Sequence, residues 1–220
     1  MRLLDLFCGA GGAAMGYYRA GFDEIIGVDM ALQPNYPFEF YCADALRFPL
    51  NGFNRLFSRF QPDVIHASPP CQAYCALRHL VKKEYPDLIG VTREALLKWG
   101  GIYVIENVPG SPLNSPIQLC GSSFGLKVRR HRLFESNVPL NGLPCQHKKQ
   151  GRPIDVSGTG GRRINRRADD HGGNTNKPRN IDEAREAMGI DWMTRYELSQ
   201  AIPPAYTEYI GRRLLEVLAA

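Results

Sequence analysis

The stretch Asp63-Val64-Ile65-His66-Ala67-Ser68-Pro69-Pro70-Cys71-Gln72 joins a short apolar run to a proline-locked loop that carries a cysteine. Val64 to Ala67 has the length and composition of a buried strand. Pro69 and Pro70 fix φ and remove two amide donors, so the strand stops there. Open α/β sheets bind ligands at the C-terminal ends of their strands. A rigid loop holding a thiol at such an end is a sound mount for a nucleophile. A turn with a buried, inert cysteine would look the same in isolation.

Upstream, Leu3 to Phe7 is a short apolar strand, followed by Cys8-Gly9-Ala10-Gly11-Gly12 and a helix from about Ala13 to Ala20. Strand, glycine turn, helix opens nucleotide-binding doubly wound folds. Glycines let the backbone approach a ligand and leave helix N-terminal amides open to it. A plain tight turn is the other reading. Ile25 to Val28 is the next strand and ends at Asp29. An acid about 20 residues past the glycines suits a ribose hydroxyl pair, or it caps a turn. Phe38 to Cys42 reads as a third strand. Asp44 follows it and could accept from an exocyclic amine, although in isolation it reads as an N-cap.

Downstream, Ala73 to Tyr85 is polar and basic, either a lid that touches phosphates or a solvated helix. Leu88 to Trp99 is an amphipathic helix closed by Gly100-Gly101. Ile102 to Ile105 is a fifth strand, ending in Glu106-Asn107. If this strand lies parallel to Val64–Ala67, Glu106 and Cys71 share a crevice. A carboxyl in such a cleft has a raised pKa and can donate a proton near neutral pH. Ser122 to Phe134 alternates basic and apolar residues, which predicts a strand with Arg129, Arg130 and Arg132 placed for anion or base contacts, or a solvated edge. Asn137 to Asn180 is rich in Gly, Pro, Asn and Arg. It reads as a long insertion, disordered or ordered only by a partner, and suits either a loop that tracks a nucleic-acid backbone or a solvated linker. Ile181 to Met188, Arg195 to Ala201 and Tyr206 to Leu218 are helices, the last set off by Pro203-Pro204.

With 220 residues, 44% of them hydrophobic, the chain can build one domain with a real core and a small appendage. A net charge of +5 is compatible with a polyanionic partner, and Lys148 to Arg179 holds much of the basic charge. The six cysteines are scattered, with no Cys-x-x-Cys and no Cys/His array at zinc spacing. Cys145 and His147 are too isolated to argue a metal, so none is expected. The N-terminus has no long apolar h-region, and no apolar run approaches the length of a membrane span. A reducing, cytoplasmic setting with free thiols and no membrane association is expected.

Taken together, DLFCGAGG near the start, Asp29 after its strand, SPPCQ, ENV, the basic RRHR segment and a late IPPAYTEYIG resemble the DNA cytosine-5 methyltransferase family. The resemblance covers Met1 to about Ser136 and resumes from about Ile181 to Leu218. It implies a class I methyltransferase fold, a mainly parallel Rossmann-like sheet flanked by helices, with residues 137–180 as a minimal target-recognition insertion. It implies S-adenosylmethionine as cofactor, double-stranded DNA as partner, and a target cytosine flipped from the duplex. By the same resemblance Cys71 would be the nucleophile. Glu106 would pair with the N3 and N4 edge of cytosine, Asn107 would support its loop, and Arg132, with Arg130 beside it, would hold O2. Phe7 would pack on the adenine. Gly9 and Gly11 would admit the cofactor's methionine end, and Gln200 could bond its carboxylate. Asp29 would hold the ribose and Asp44 the adenine amine, with Gly12, Met30, Ala45 and Pro70 also at the cofactor site. Val128 stands where the family usually has glutamine, and Ser199-Gln200 where it usually has Gly-Asn. A branch that methylates tRNA shares these motifs, and an idle nucleic-acid-binding protein of the same fold is the rival from another class. A stand-alone, monomeric modifier in a restriction–modification setting is the expected context.

Overall fold

A computed structural model describes residues 1–47, 60–72, 74, 87–157 and 176–220. The prospective lid at residues 73–85 lies almost wholly outside the described residues. Seven strands, β1 (Arg2–Leu6), β2 (Glu24–Asp29), β3 (Glu39–Cys42), β4 (Val64–Ala67), β5 (Ile102–Asn107), β6 (Ile117–Leu119) and β7 (Arg132–Ser136), form one sheet in the order β3-β2-β1-β4-β5-β7-β6. The first five are parallel; β7 runs antiparallel to β5, and β6 antiparallel to β7. Strand order reverses at β1, whose neighbours are β2 and β4, so a crevice opens at the C-terminal ends of β1 and β4.

The strands bury both faces by period-two alternation. Leu3, Val64 and Val104 point into a core shared with α1 (Gly12–Ala20) and α6 (Pro204–Leu218). Leu4, Ile65 and Ile105 point into the opposite core, together with Leu96 of α2 (Ile89–Trp99). α1 and α6 cross so closely that a Cβ on Gly16 would lie 2.0 Å from Thr207 Oγ1. A third core joins Val128 and Val156 to α4 (Ile181–Met188) and α5 (Arg195–Gln200).

The segment Ser122–Phe134 differs from the expected strand. Gly121–Phe124 is a 3-10 turn, Gly125 has φ 70°, and Arg130 has φ 40°. These left-handed residues break any extended run, and only Arg132 onward pairs as β7. The short β6 was not legible, because three residues carry no period. Glu106 and Asn107 lie inside β5 rather than after it. Part of the stretch read as disordered, residues 137–157, is folded. Val138, Leu140 and Leu143 pack on the sheet, and Val156 is buried. Ile154 donates its amide to Lys127 O and bridges Asn176 in parallel, and α3 (His147–Gln150) lies between. Cys145 and His147, isolated in sequence, converge in space with Cys120 and His131.

Candidate active site

The crevice is a cavity of about 340 Å³ at the C-terminal ends of β1, β2, β4 and β5. Its glycine turn begins at Phe7, whose φ of 57° turns the chain sharply out of β1. Gly9 and Gly11 continue the turn with φ of 49° and 83°. A Cβ on Gly11 would lie 2.7 Å from Pro37 Cδ, so only glycine fits there. Asp29 closes the turn from β2. Its Oδ2 accepts from Gly9 N at 3.0 Å and its Oδ1 from Ala31 N at 2.9 Å. Each oxygen keeps a second lone pair for a ligand hydroxyl. α1 starts here with no side-chain cap and no acid in its first turn, and Gly12 and Ala13 face the cavity. Its open amides and dipole suit a carboxylate.

On the other side of β1, the Pro69-Pro70 loop presents the half-buried Cys71 to the same cavity. Asn107 holds that loop: its Nδ2 donates to Pro69 O at 2.9 Å, and its own Oδ1 accepts from Val108 N. Because β4 and β5 are parallel neighbours in register, Ala67 lies beside Ile105, and Glu106 projects next to the cysteine loop. Glu106 accepts from Arg132 Nε at 3.0 Å. Burial pushes the Glu106 carboxyl up, while Arg132 and Ser68 pull it back. Arg130 is partly buried; its Nη2 donates to Ser199 O at 2.6 Å. Burial, then Arg132, lowers its guanidinium to about 9, so it stays charged at neutral pH.

Of the residues named from sequence, Phe7, Gly9, Gly12, Asp29, Pro70, Cys71, Glu106, Arg132 and Gln200 line this one cavity. Asn107 and Arg130 stand behind it. Gly11 supports the turn from beneath. Asp44, Ala45 and Met30 do not line it: Asp44 Oδ1 caps Leu46 N at 2.9 Å, Ala45 is buried in the core, and Met30 is exposed. Val128 is a core residue.

Sequence reasoning gave no role to a polar layer beneath the cysteine loop. His66 is fully buried, with Tyr17 OH 3.1 Å from Nδ1 and Ser68 Oγ 3.0 Å from Nε2. Burial lowers this imidazole to about 3, so it stays neutral. Asp5, its register partner on β1, is buried at the cavity wall. Burial pushes its carboxyl well up, partly opposed by the Tyr36 hydroxyl. The signal was present, since Asp5 and His66 interrupt otherwise apolar strands. Burial likewise pushes the Cys8 thiol up, which makes it an inert neighbour of the turn.

Residues 1–86 match the model of C-5 cytosine-specific DNA methylases. A protein named as a type II methyltransferase in Methanocaldococcus jannaschii is 25% identical over 64% of this chain and 56% of its own length. The type II methyltransferase M.HgiGI of Herpetosiphon aurantiacus is 29% identical over 34% of this chain and 62% of its own length. The chain therefore spans a little over half the length of these curated relatives. Among solved structures, a protein described as a DNA modification methyltransferase encoded within an E. coli prophage superimposes with a TM-score of 0.67 at 16% identity, covering 100% of both chains. The S. pombe Dnmt2 methyltransferase superimposes with a TM-score of 0.61 at 13% identity, covering 100% of this chain and 99% of its own. These two likenesses establish the fold, a Rossmann-like class I methyltransferase sheet. Over residues 1–86 the chain is similar to the C-5 cytosine-specific DNA methylases.

Proposed function

We propose that this protein transfers a methyl group from S-adenosylmethionine to C5 of cytosine in double-stranded DNA. The observation that carries the reading is the convergence of Cys71 and the Glu106–Arg132 pair in one cavity with an uncapped helix N-terminus and Asp29. The cavity suits the cofactor. Asp29 has lone pairs for ribose hydroxyls, the α1 amides and Gln200 face the place of a carboxylate, and Phe7 lines the cavity wall. When bound, S-adenosylmethionine supplies an electrophilic methyl on a sulfonium.

C5 of cytosine is a poor nucleophile, and the protein's own residues must activate it. Cys71, as thiolate, adds to C6; the C5–C6 π pair moves toward C5 as the S–C6 bond forms. Glu106, whose carboxyl burial pushes up against the pull of Arg132, donates at N3 and neutralises charge that would otherwise build on the ring. Arg132 orients Glu106 and reaches O2. With the methyl at C5, a water takes the C5 proton, the S–C6 bond breaks and frees Cys71 as thiolate, and N3 returns its proton to Glu106. A base reaches this buried geometry only outside the stack, so the target is flipped. Residues 1–136 and 181–220 act as the catalytic core, and 137–180 as the recognition insertion, with a monomer in a reducing cytoplasm as the working form.

The test is transfer of labelled methyl to cytosine-rich duplex DNA and to tRNA, for wild type and Cys71→Ser. Label on DNA that disappears in the variant supports the proposal. Label on tRNA alone moves the substrate to RNA. No label on either, with the cofactor bound, overturns catalysis.

A further inference from the structure

We infer that Cys120, His131, Cys145 and His147 form a structural zinc site that clamps the β6–β7 margin. The ligand atoms of the four residues all lie within 4.8 Å of one another. Cys120 Sγ is 3.2 Å from His147 Nε2, and His131 Nε2 is 3.4 Å from Cys145 Sγ. A tetrahedral zinc with ordinary Zn–S and Zn–N bonds sets S···N edges of roughly 3.5 Å. Both cross pairs therefore already stand at the spacing that a single ion imposes. The imidazoles lie 5.1 Å apart between centroids at 67°, so they approach edge to face rather than stack.

The fold brings the four together from three places. Leu119 pairs with Arg132 in the antiparallel β6–β7 ladder, so Cys120 and His131 face each other one step beyond it. Cys145 and His147 arrive on the chain that returns after β7, and residues one apart in an irregular stretch can both turn inward. Neighbouring groups fix this arm. Ser122 Oγ sits 3.1 Å from Cys120 Sγ and accepts from Gln146 N at 3.0 Å, and Ser123 Oγ donates to Pro144 O at 2.9 Å. Such outer partners orient metal ligands. A Cys₂His₂ set selects zinc and, with four protein ligands, leaves no open position, so the role is structural. The two thiols release their protons on binding, and two thiolates with two neutral imidazoles balance the ion's charge.

The spacing, Cys-x₁₀-His-x₁₃-Cys-x-His, matches no familiar zinc pattern, which is why the sequence hid it. None of the four lines the catalytic cavity, so the site is independent of the methyl-transfer reading. Its ligand His131 lies between Arg130 and Arg132. The ion would tie that turn to the first residues of the recognition insertion.

The experiment uses untagged full-length protein purified with reductant. Metal content is measured by mass spectrometry for wild type, the double variant Cys145→Ser/His147→Ala, and Cys42→Ser, an exposed cysteine outside the cluster. About one zinc per chain is expected in wild type and Cys42→Ser, and under about a fifth of that in the double variant. Cobalt added to metal-free wild type should give tetrahedral ligand-field bands with thiolate charge transfer, independent of how the variant folds. Zinc unchanged in the double variant would overturn the site. So would a wild type that takes up neither metal, or a Cys120–Cys145 disulfide in the reduced preparation.

Discussion

The cavity floor and the β6–β7 margin are held by different means. On the floor, β1, β4 and β5 are parallel and in register, and their alternating side chains fill two cores. Position there follows from packing: once Ala67 sits beside Ile105, Cys71 and Glu106 have nowhere else to go. At the margin a ladder and apolar residues such as Leu119, Phe134 and Val156 are supplemented by single polar links from the irregular chain that follows. Ile154 N reaches Lys127 O, Gln150 reaches two carbonyls, and thiols meet imidazoles. A densely packed floor fixes reacting atoms to a fraction of an ångström, as chemistry requires. A polar-tied margin tolerates changes of loop sequence, which suits the proposed recognition role. The two regions should therefore fail differently when cut.

The largest effect is expected on the floor. Cys71→Ala should lower kcat by roughly 10⁴-fold or more while cofactor binding and melting temperature stay near wild type. A residual rate within tenfold of wild type would mean that the cavity does not use covalent addition. Glu106→Gln comes next, at roughly 10²- to 10³-fold in kcat. Burial raises the Glu106 carboxyl, so its protonated, donating form persists to higher pH than an exposed glutamate's and is lost as pH rises through the folded-state value. The wild-type rate should thus fall on its alkaline side, and the glutamine variant should lack that limb. A variant profile parallel to wild type would assign the limb elsewhere.

The same floor carries a stability signature. His66 titrates at about 3 in the folded chain against about 6.5 unfolded, because burial disfavours its charge. Between those values the unfolded chain binds the extra proton. Stability is therefore full above about 6.5 and declines as pH falls toward about 3, by up to about 1.4 kcal/mol per pH unit. Urea titrations at several pH values should show this slope in wild type and lose it in His66→Leu, whatever that variant's absolute stability. Equal slopes in both would show that other groups govern the acid limb.

Most of the floor was legible in the sequence because its signals are local. Prolines end β4, glycines end β1, and apolar runs mark the parallel strands. What was not legible depends on pairing across the fold. The alternation in Ser122–Phe134 imitated a strand, but Gly125 and the left-handed Arg130 turn that stretch back on itself. Asp44 read in isolation as a cap, and its Oδ1 does accept from Leu46 N at the next turn. Residues 137–157 lack the composition of a core, and they fold because Val138, Leu140 and Leu143 pack against the sheet's core while Val156 packs with Val128 and the α4–α5 helices. The Cys/His cluster is the extreme case, since its members share no period and meet through the β6–β7 register and the chain returning after β7.

The smallest effects belong at the margin. Gln150 Nε2 donates to Leu126 O at 2.8 Å and to Val128 O at 2.7 Å, holding the turn that leads into Arg129-Arg130. Gln150→Ala leaves two part-buried carbonyls to water, at a cost of about 1–2 kcal/mol in denaturant unfolding. Lys177→Ala, which removes an ion pair to Asp155 on a largely exposed lysine, should cost under about 0.5 kcal/mol. In both variants kcat should stay within about threefold of wild type, since neither touches the packed floor. A rise in KM for DNA at constant kcat would sharpen the contrast by assigning binding to the margin. A collapse of kcat in Gln150→Ala would break it: the turn before Arg132 would then be set by the margin rather than by β7, and the floor's precision would itself depend on the polar ties beside it.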